Sequence, residues 1–174
     1  LLHFYTKFRP NFPLIIVDSS NPSNAAENRA VIDCVKDRLE ISYQHYDLPF
    51  IEKCIQCLER VWSPLVVLCA DDDFLFPEGV EQCREFLLHE AGYASAMGRT
   101  VLLDNTRSGW RGKLRVLKGY SIEHDQPLSR CRQLAAQFYS NFYAVYHTAT
   151  LLENYRIAAA SSDAQSLPHL PETL

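Results

Sequence analysis

The chain has 174 residues, 47% of them hydrophobic and 22% charged, which is enough apolar material for one core and one domain. Its formal net charge of -4 excludes a general binder of nucleic acid or of acidic membrane, because such binders carry a basic surplus that releases counterions on contact. No apolar run approaches the ~20 residues that span a bilayer, and no charged, apolar, small-residue leader pattern opens the chain, so a cytoplasmic, reducing setting is the expectation. The six cysteines then read as small core hydrophobes and not as a disulfide framework.

Taken in chain order, strand and helix signals alternate. The opening "LLHFYTKFRPNF" reads as the tail of a helix. "PLIIVDSS" (13–20) is a short apolar run ending in turn formers. "SNAAENRAVIDCVKDRLE" then starts a helix at Asn24, three residues before Glu27, with Val31, Cys34, Val35 and Leu39 on one face. "ISYQHY" (41–46) alternates in the manner of a strand. "FIEKCIQCLERV" (50–61) places Ile51, Cys54, Leu58 and Val61 at helical spacing, so the Cys54-x-x-Cys57 pair lies within one amphipathic helix. A zinc site would need a second close ligand pair, and a redox pair would open a helix after a strand; neither pattern is present.

"PLVVLC" (64–69) is a continuous apolar run of the kind covered on both faces, and Pro77 opens a helix with Val80, Cys83 and Leu87 on one side. "YASAMGRTVLL" and "LRVLK" read as strands. A helix from Leu128 to Phe142 aligns Cys131, Leu134, Phe138 and Phe142, followed by a "YAVYH" strand, a helix from Thr150 and a polar tail. This order predicts an α/β fold with a mainly parallel sheet and helices on both faces.

The most informative stretch is "LVVLCADDDFLF" (65–76), in which Asp71, Asp72 and Asp73 separate two apolar runs. In open α/β sheets, ligands bind beyond the carboxyl ends of the strands, where these acids fall. Adjacent carboxylates repel one another and are relieved by a cation, and hard oxygen ligands suit Mg²⁺ or Mn²⁺, which would also neutralise a diphosphate. A bland alternative is that the acids cap the helix starting near Pro77, a role that accounts for one Asp and not for three.

"SPLVVLCADDDFLFPEGVEQC", preceded by "LIIVDSS" and "ISYQHY", resembles the GT-A fold glycosyltransferases, nearest to the family 2 type, over residues 10–100. These enzymes place a proline about five residues past the metal-binding Asp. The resemblance therefore implies Asp72 as metal ligand with Asp73 beside it, Asp71 facing the ribose, and Asp18 against the base of a nucleotide. Lys53 falls where a helix facing the nucleotide presents a basic group. Each has a plainer reading, Asp18 as a turn former before Ser19 and Ser20, and Lys53 as a solvated helix lysine. On this resemblance the chain is a single domain over 1–174. Residues 1–100 would form the nucleotide-sugar-binding half and 101–174 an incomplete acceptor-side half.

The implied function is metal-dependent transfer of a hexose from a nucleotide-sugar donor to the hydroxyl of a glycan, lipid-linked or protein acceptor. Inversion at the anomeric carbon follows from the family 2 likeness alone, and neither nucleic acid nor a transmembrane segment is involved. An inverting enzyme needs a carboxylate base near the acceptor, for which Glu172 in "PHLPETL" and Asp125 in "IEHDQPLSR" are the candidates, each equally readable as a solvated loop or cap acid.

The family's first strand has no counterpart here. Its place lies between the strands at 14–18 and 64–69, so those two are expected either to pair directly or to flank a slot. Arg107, Arg111, Lys113, Arg115 and Lys118 surround Trp110 as a lid facing phosphate or sugar, or as a solvated hairpin. His124 and His147 read as structural or surface residues. Two other functions fit less of the pattern. One is a non-catalytic nucleotide- or glycan-binding module. The other is a metal-dependent phosphatase with an Asp nucleophile, in which Thr or Val would stand where Leu75 does.

Overall fold

The structure, a computed structural model, describes residues 1–104, 113–136 and 140–161. Among the described residues the chain is an α/β protein with six helices and three small sheets. The elements run α1 (Leu2–Phe8), β1 (Leu14–Asp18), α2 (Pro22–Asp33), β2 (Ile41–His45), α3 (Phe50–Leu58), β3 (Leu65–Val67), α4 (Pro77–His89), β4 (Ser95–Ala96), β5 (Val101–Asp104), β6 (Lys113–Val116), α5 (Pro127–Ala136), β7 (Val145–His147) and α6 (Thr148–Ala160).

The expected mainly parallel sheet is not what the described strands form. Only β1 and β2 pair in parallel, with Leu14 opposite Ile41 and Asp18 opposite His45. β7 lies antiparallel between β3 and β4, and β5 and β6 make an antiparallel hairpin. The reason is that a short apolar run reads alike in either direction, so the pattern of "YAVYH" carries no information about which way it runs against β3.

β1 and β3 do not pair with each other, and residues 2–8 are helical, so no strand from the start of the chain lies between them. The orientation of their backbones follows by alternation. Leu14 N–H donates to the Glu40 carbonyl and Tyr46 N–H donates to the Asp18 carbonyl, so residues 14, 16 and 18 turn their backbone toward β2 and Ile15 and Val17 turn theirs away. Thr148 N–H donates to the Pro64 carbonyl, so Val66 faces β7 while Leu65 and Val67 face the opposite edge. Neither run is covered on both faces as expected: Ile15 is exposed and the three residues of β3 are half-buried.

Two packing centres hold the fold. α1 places Tyr5 against Val35 and Leu39, with Leu2, Phe4, Leu14 and Ile41 around them. Its other flank puts Phe4 against Phe74 and Phe76, with ring centroids 4.9 and 5.5 Å apart, so one short helix bridges the β1–β2 pair and the segment before α4. α1 ends at Arg9 in the left-handed conformation (φ 46°), whose N–H closes on the Tyr5 carbonyl, and Pro10 and Pro13 prevent continuation. The second centre packs α3 on α6, burying Cys54, Leu58 and Leu151, with an Arg156–Glu59 ion pair of 2.8 Å at the rim.

Helix details correct the sequence reading. α2 starts at Pro22 and not at Asn24, because the Asn21 side chain accepts from Asn24 N–H and Pro22 is pre-set for the first helical position. It ends at Asp33, so Val35 and Leu39 are buried from the turn that follows, Ile32 replaces Val31 on the inner face, and Cys34 is exposed. "YASAMGRTVLL" splits into β4 and β5. α5 is described over Pro127–Ala136 with Cys131 exposed, and Phe138 lies outside the described residues. All six cysteines are free. No helix among the described residues is long and apolar enough to cross a membrane.

Candidate functional site

The carboxyl end of β1 gathers polar side chains from four elements. Asp18 is buried, at 8% exposure, and its carboxylate accepts hydrogen bonds from three residues. Oδ1 accepts from Ser20 N–H at 2.7 Å; Oδ2 accepts from the Tyr43 hydroxyl at 2.6 Å and from Asn28 Nδ2 at 3.0 Å. Burial alone would raise its pKa, but hydrogen bonds from the Ser20 hydroxyl, Tyr43, Asn28 and the Ser20 N–H outweigh it and hold the carboxyl well below the usual carboxylate range. Tyr43 is pushed up by burial and by its bond to Asp18, and Arg29 lies 5.1 Å from the Tyr43 ring centroid.

Two further groups close on the loop that Asp18 organises. Lys53 Nζ, from α3, donates to Ser19 Oγ at 2.8 Å, and His45 Nε2 lies 2.8 Å from the Ser20 carbonyl. Asp18 and Lys53, 35 positions apart in the chain, thus belong to one site. Lys53 is half-buried and its hydrogen bond to Ser19 is solvent-exposed. Sequence reasoning missed Asn28, Tyr43 and His45. The signal was available in β2, where period-2 alternation puts Tyr43 and His45 on one face at the end nearest Asp18.

The acid loop follows β3. Asp71, Asp72 and Asp73 are all exposed, and Asp73 Oδ2 accepts a hydrogen bond from the Tyr143 hydroxyl, a contact the sequence did not signal. Burial, the bond to Asp73 and the nearby charge of Asp72 raise the Tyr143 phenol. Asp71 and Asp72 accept no hydrogen bond from the described residues, which leaves their oxygens open.

Behind the loop, Leu75 N–H donates to the Tyr5 hydroxyl at 3.4 Å and Cys69 Sγ donates to the Ala70 carbonyl at 3.3 Å. Burial pushes the Cys69 thiol up to about 11, so it is protonated at neutral pH and is no nucleophile. Among the described residues no three His, Cys, Asp or Glu side chains converge as a metal-holding set. The donor type still fits a hard cation, since Mg²⁺ commonly takes one or two carboxylates and completes its shell with water and substrate phosphate.

The remaining candidates are not drawn together with these. Asp125 is exposed ahead of α5, and its backbone carbonyl accepts from Arg130 Nη1 at 3.0 Å. No hydrogen bond or ion pair joins it to Asp18 or to the acid loop among the described residues. Glu172 lies outside the described residues, as do Arg107, Trp110 and Arg111. A cavity of about 250 Å³ lies between the end of β3 and α6, lined by Leu68, Phe142, Tyr146, Leu151 and Tyr155 with Asn141 at its polar side.

No family model matches the chain, and neither a curated protein nor a solved structure matches it.

Proposed function

We propose that the chain is a GT-A-like, hexosyltransferase-type glycosyltransferase domain that moves a sugar from a nucleotide donor to an acceptor hydroxyl. The observation that carries this reading is the Lys53–Ser19 hydrogen bond, which brings Lys53 to the loop that follows Asp18, so that two residues the resemblance implies as nucleotide contacts meet at the carboxyl end of β1. Asp18 works through its neighbours. Its acceptor positions are filled by Ser20, Tyr43 and Asn28, so it fixes the shape of the 18–20 loop, and Lys53 with the loop's own polar groups meets the nucleotide. Lys53 supplies positive charge toward a diphosphate, and Asp71 is assigned to the ribose.

Asp72 and Asp73 would hold Mg²⁺ or Mn²⁺, which when bound neutralises charge on the departing diphosphate. Asp73 is oriented for this by the Tyr143 hydroxyl. The base that takes the proton of the acceptor hydroxyl is assigned to Asp125 or Glu172, in an inverting transfer.

The test is release of nucleoside diphosphate from a panel of uridine, guanosine and adenosine diphospho-sugars with Mn²⁺. Turnover of one donor that is lost in Asp72→Asn supports the assignment. Nucleotide binding without turnover of any donor assigns the chain to the non-catalytic binding class instead.

A further inference from the structure

The β5–β6 hairpin has two unlike faces, and one of them is apolar and largely exposed. Register pairs Val101 with Val116 and Leu103 with Leu114, so these four side chains share one side of the ribbon; Leu102, paired with Arg115, lies on the other. The four are 46%, 60%, 66% and 69% exposed respectively, and neither strand pairs with any other strand among the described residues. Four neighbouring aliphatic side chains exposed to this degree present on the order of 400 Å² of apolar surface, at the level where a patch marks an interaction site. Such a face left in water opposes folding of the hairpin, so something covers it.

Charge indicates what does. The strands and their flanks, residues 99–104 and 113–118, contain Arg99, Lys113, Arg115 and Lys118 against the single acid Asp104, while the chain as a whole is at -4. The hairpin is therefore a basic, amphipathic element on an otherwise acidic protein. A second copy is the weaker occupant: two such faces together bury roughly 800 Å², below the ~1,200 Å² of a stable association. An anionic lipid surface suits both features, because an interfacial element needs only a modest apolar face when cations beside it meet the headgroups, and the exposed Arg99 and Lys118 flank the two strands with side chains long enough to reach headgroups.

We propose that the β5–β6 hairpin is a membrane-surface docking element that lays Val101, Leu103, Leu114 and Val116 into the interface of an anionic bilayer. Net charge excluded a general acidic-membrane binder; this is a local device, and it is independent of the sugar-transfer reading.

The experiment is flotation of the full chain with vesicles of phosphatidylcholine alone and of phosphatidylcholine with one third phosphatidylglycerol. At least tenfold more protein is expected on the anionic vesicles, falling with added salt. Lys118→Gln should weaken binding roughly fivefold, and Leu103→Ser with Leu114→Ser should weaken it tenfold or more. Since all three positions are exposed, circular dichroism should be unchanged. Equal or no flotation on the two vesicle types overturns the proposal. So does a concentration-dependent dimer in ultracentrifugation that the double serine variant abolishes, because the face would then belong to a second copy.

Discussion

The Tyr43 hydroxyl donates to Asp18 Oδ2 at 2.6 Å, tying together the carboxyl ends of the two parallel strands and making one buried carboxylate the organiser of the loop between β1 and α2. Because the folded-state pKa of Asp18 is depressed, its contribution is fully present above the unfolded value near 3.9 and is lost as pH falls through it toward the folded value. Asp18→Asn should cost about 2 kcal/mol at neutral pH, the scale of hydrogen bonds to a buried charge. Urea titrations of both proteins should show that gap narrowing below about pH 4. Equal midpoints at neutral pH, or a gap that acid leaves unchanged, contradict this role.

The three acids of the 71–73 loop should separate in stability measurements. Neutralising Asp72 relieves repulsion from its neighbours and removes no hydrogen bond from the described residues, so Asp72→Asn should melt no lower than the wild type without metal. Asp73→Asn weakens the bond from Tyr143 and should melt lower. A clear fall in melting temperature for Asp72→Asn would assign that side chain to capping the helix at Pro77 instead.

Thiol reactivity should follow burial. The thiolate is the reactive form, and burial pushes both Cys54 and Cys69 up to about 11, while Cys34 and Cys131 are exposed. Limited alkylation at mildly alkaline pH followed by peptide mass mapping should find Cys34 and Cys131 modified first. Early labelling of Cys54 would show that the α3–α6 contact opens readily.

Backbone protection should alternate along β1 and β3. Ile16 and Asp18 direct their N–H groups to β2 and Val66 directs its own to β7, whereas Ile15, Val17 and Val67 point to edges without a strand partner among the described residues. Hydrogen exchange read by NMR should find the second group exchanging much faster than the first. Uniform protection would mean that a strand fills the place between β1 and β3.

Much of this architecture was legible because local patterns were strong. "LIIVD" and "ISYQH" became β1 and β2, the spacing of Cys54 and Leu58 marked the buried face of α3, and Pro77 opened α4 with Leu87 buried. Pairing direction was not legible, because Leu65–Val67 could accept a neighbour running either way and the partner that decided it lies about 80 residues later. The site was half legible. Asp18 and Lys53 were singled out from the sequence and meet at one loop, but Tyr43 read only as a strand former. Its hydrogen bond depends on the relative register of β1 and β2, which no local window contains. Tyr143 was missed for the same reason, since 70 residues separate it from Asp73.

The central claim is that the loop organised by Asp18, with Lys53, receives a nucleoside diphosphate. Titration calorimetry of the chain with uridine and guanosine diphosphates in the presence of Mn²⁺ tests it most directly. The account predicts binding to at least one of them, weakened about tenfold in Lys53→Ala, the order expected on losing one charge-assisted hydrogen bond. It also predicts loss of the metal-dependent part of that binding in Asp72→Asn. No heat of binding to either nucleotide, or equal affinity in Lys53→Ala and wild type, contradicts it.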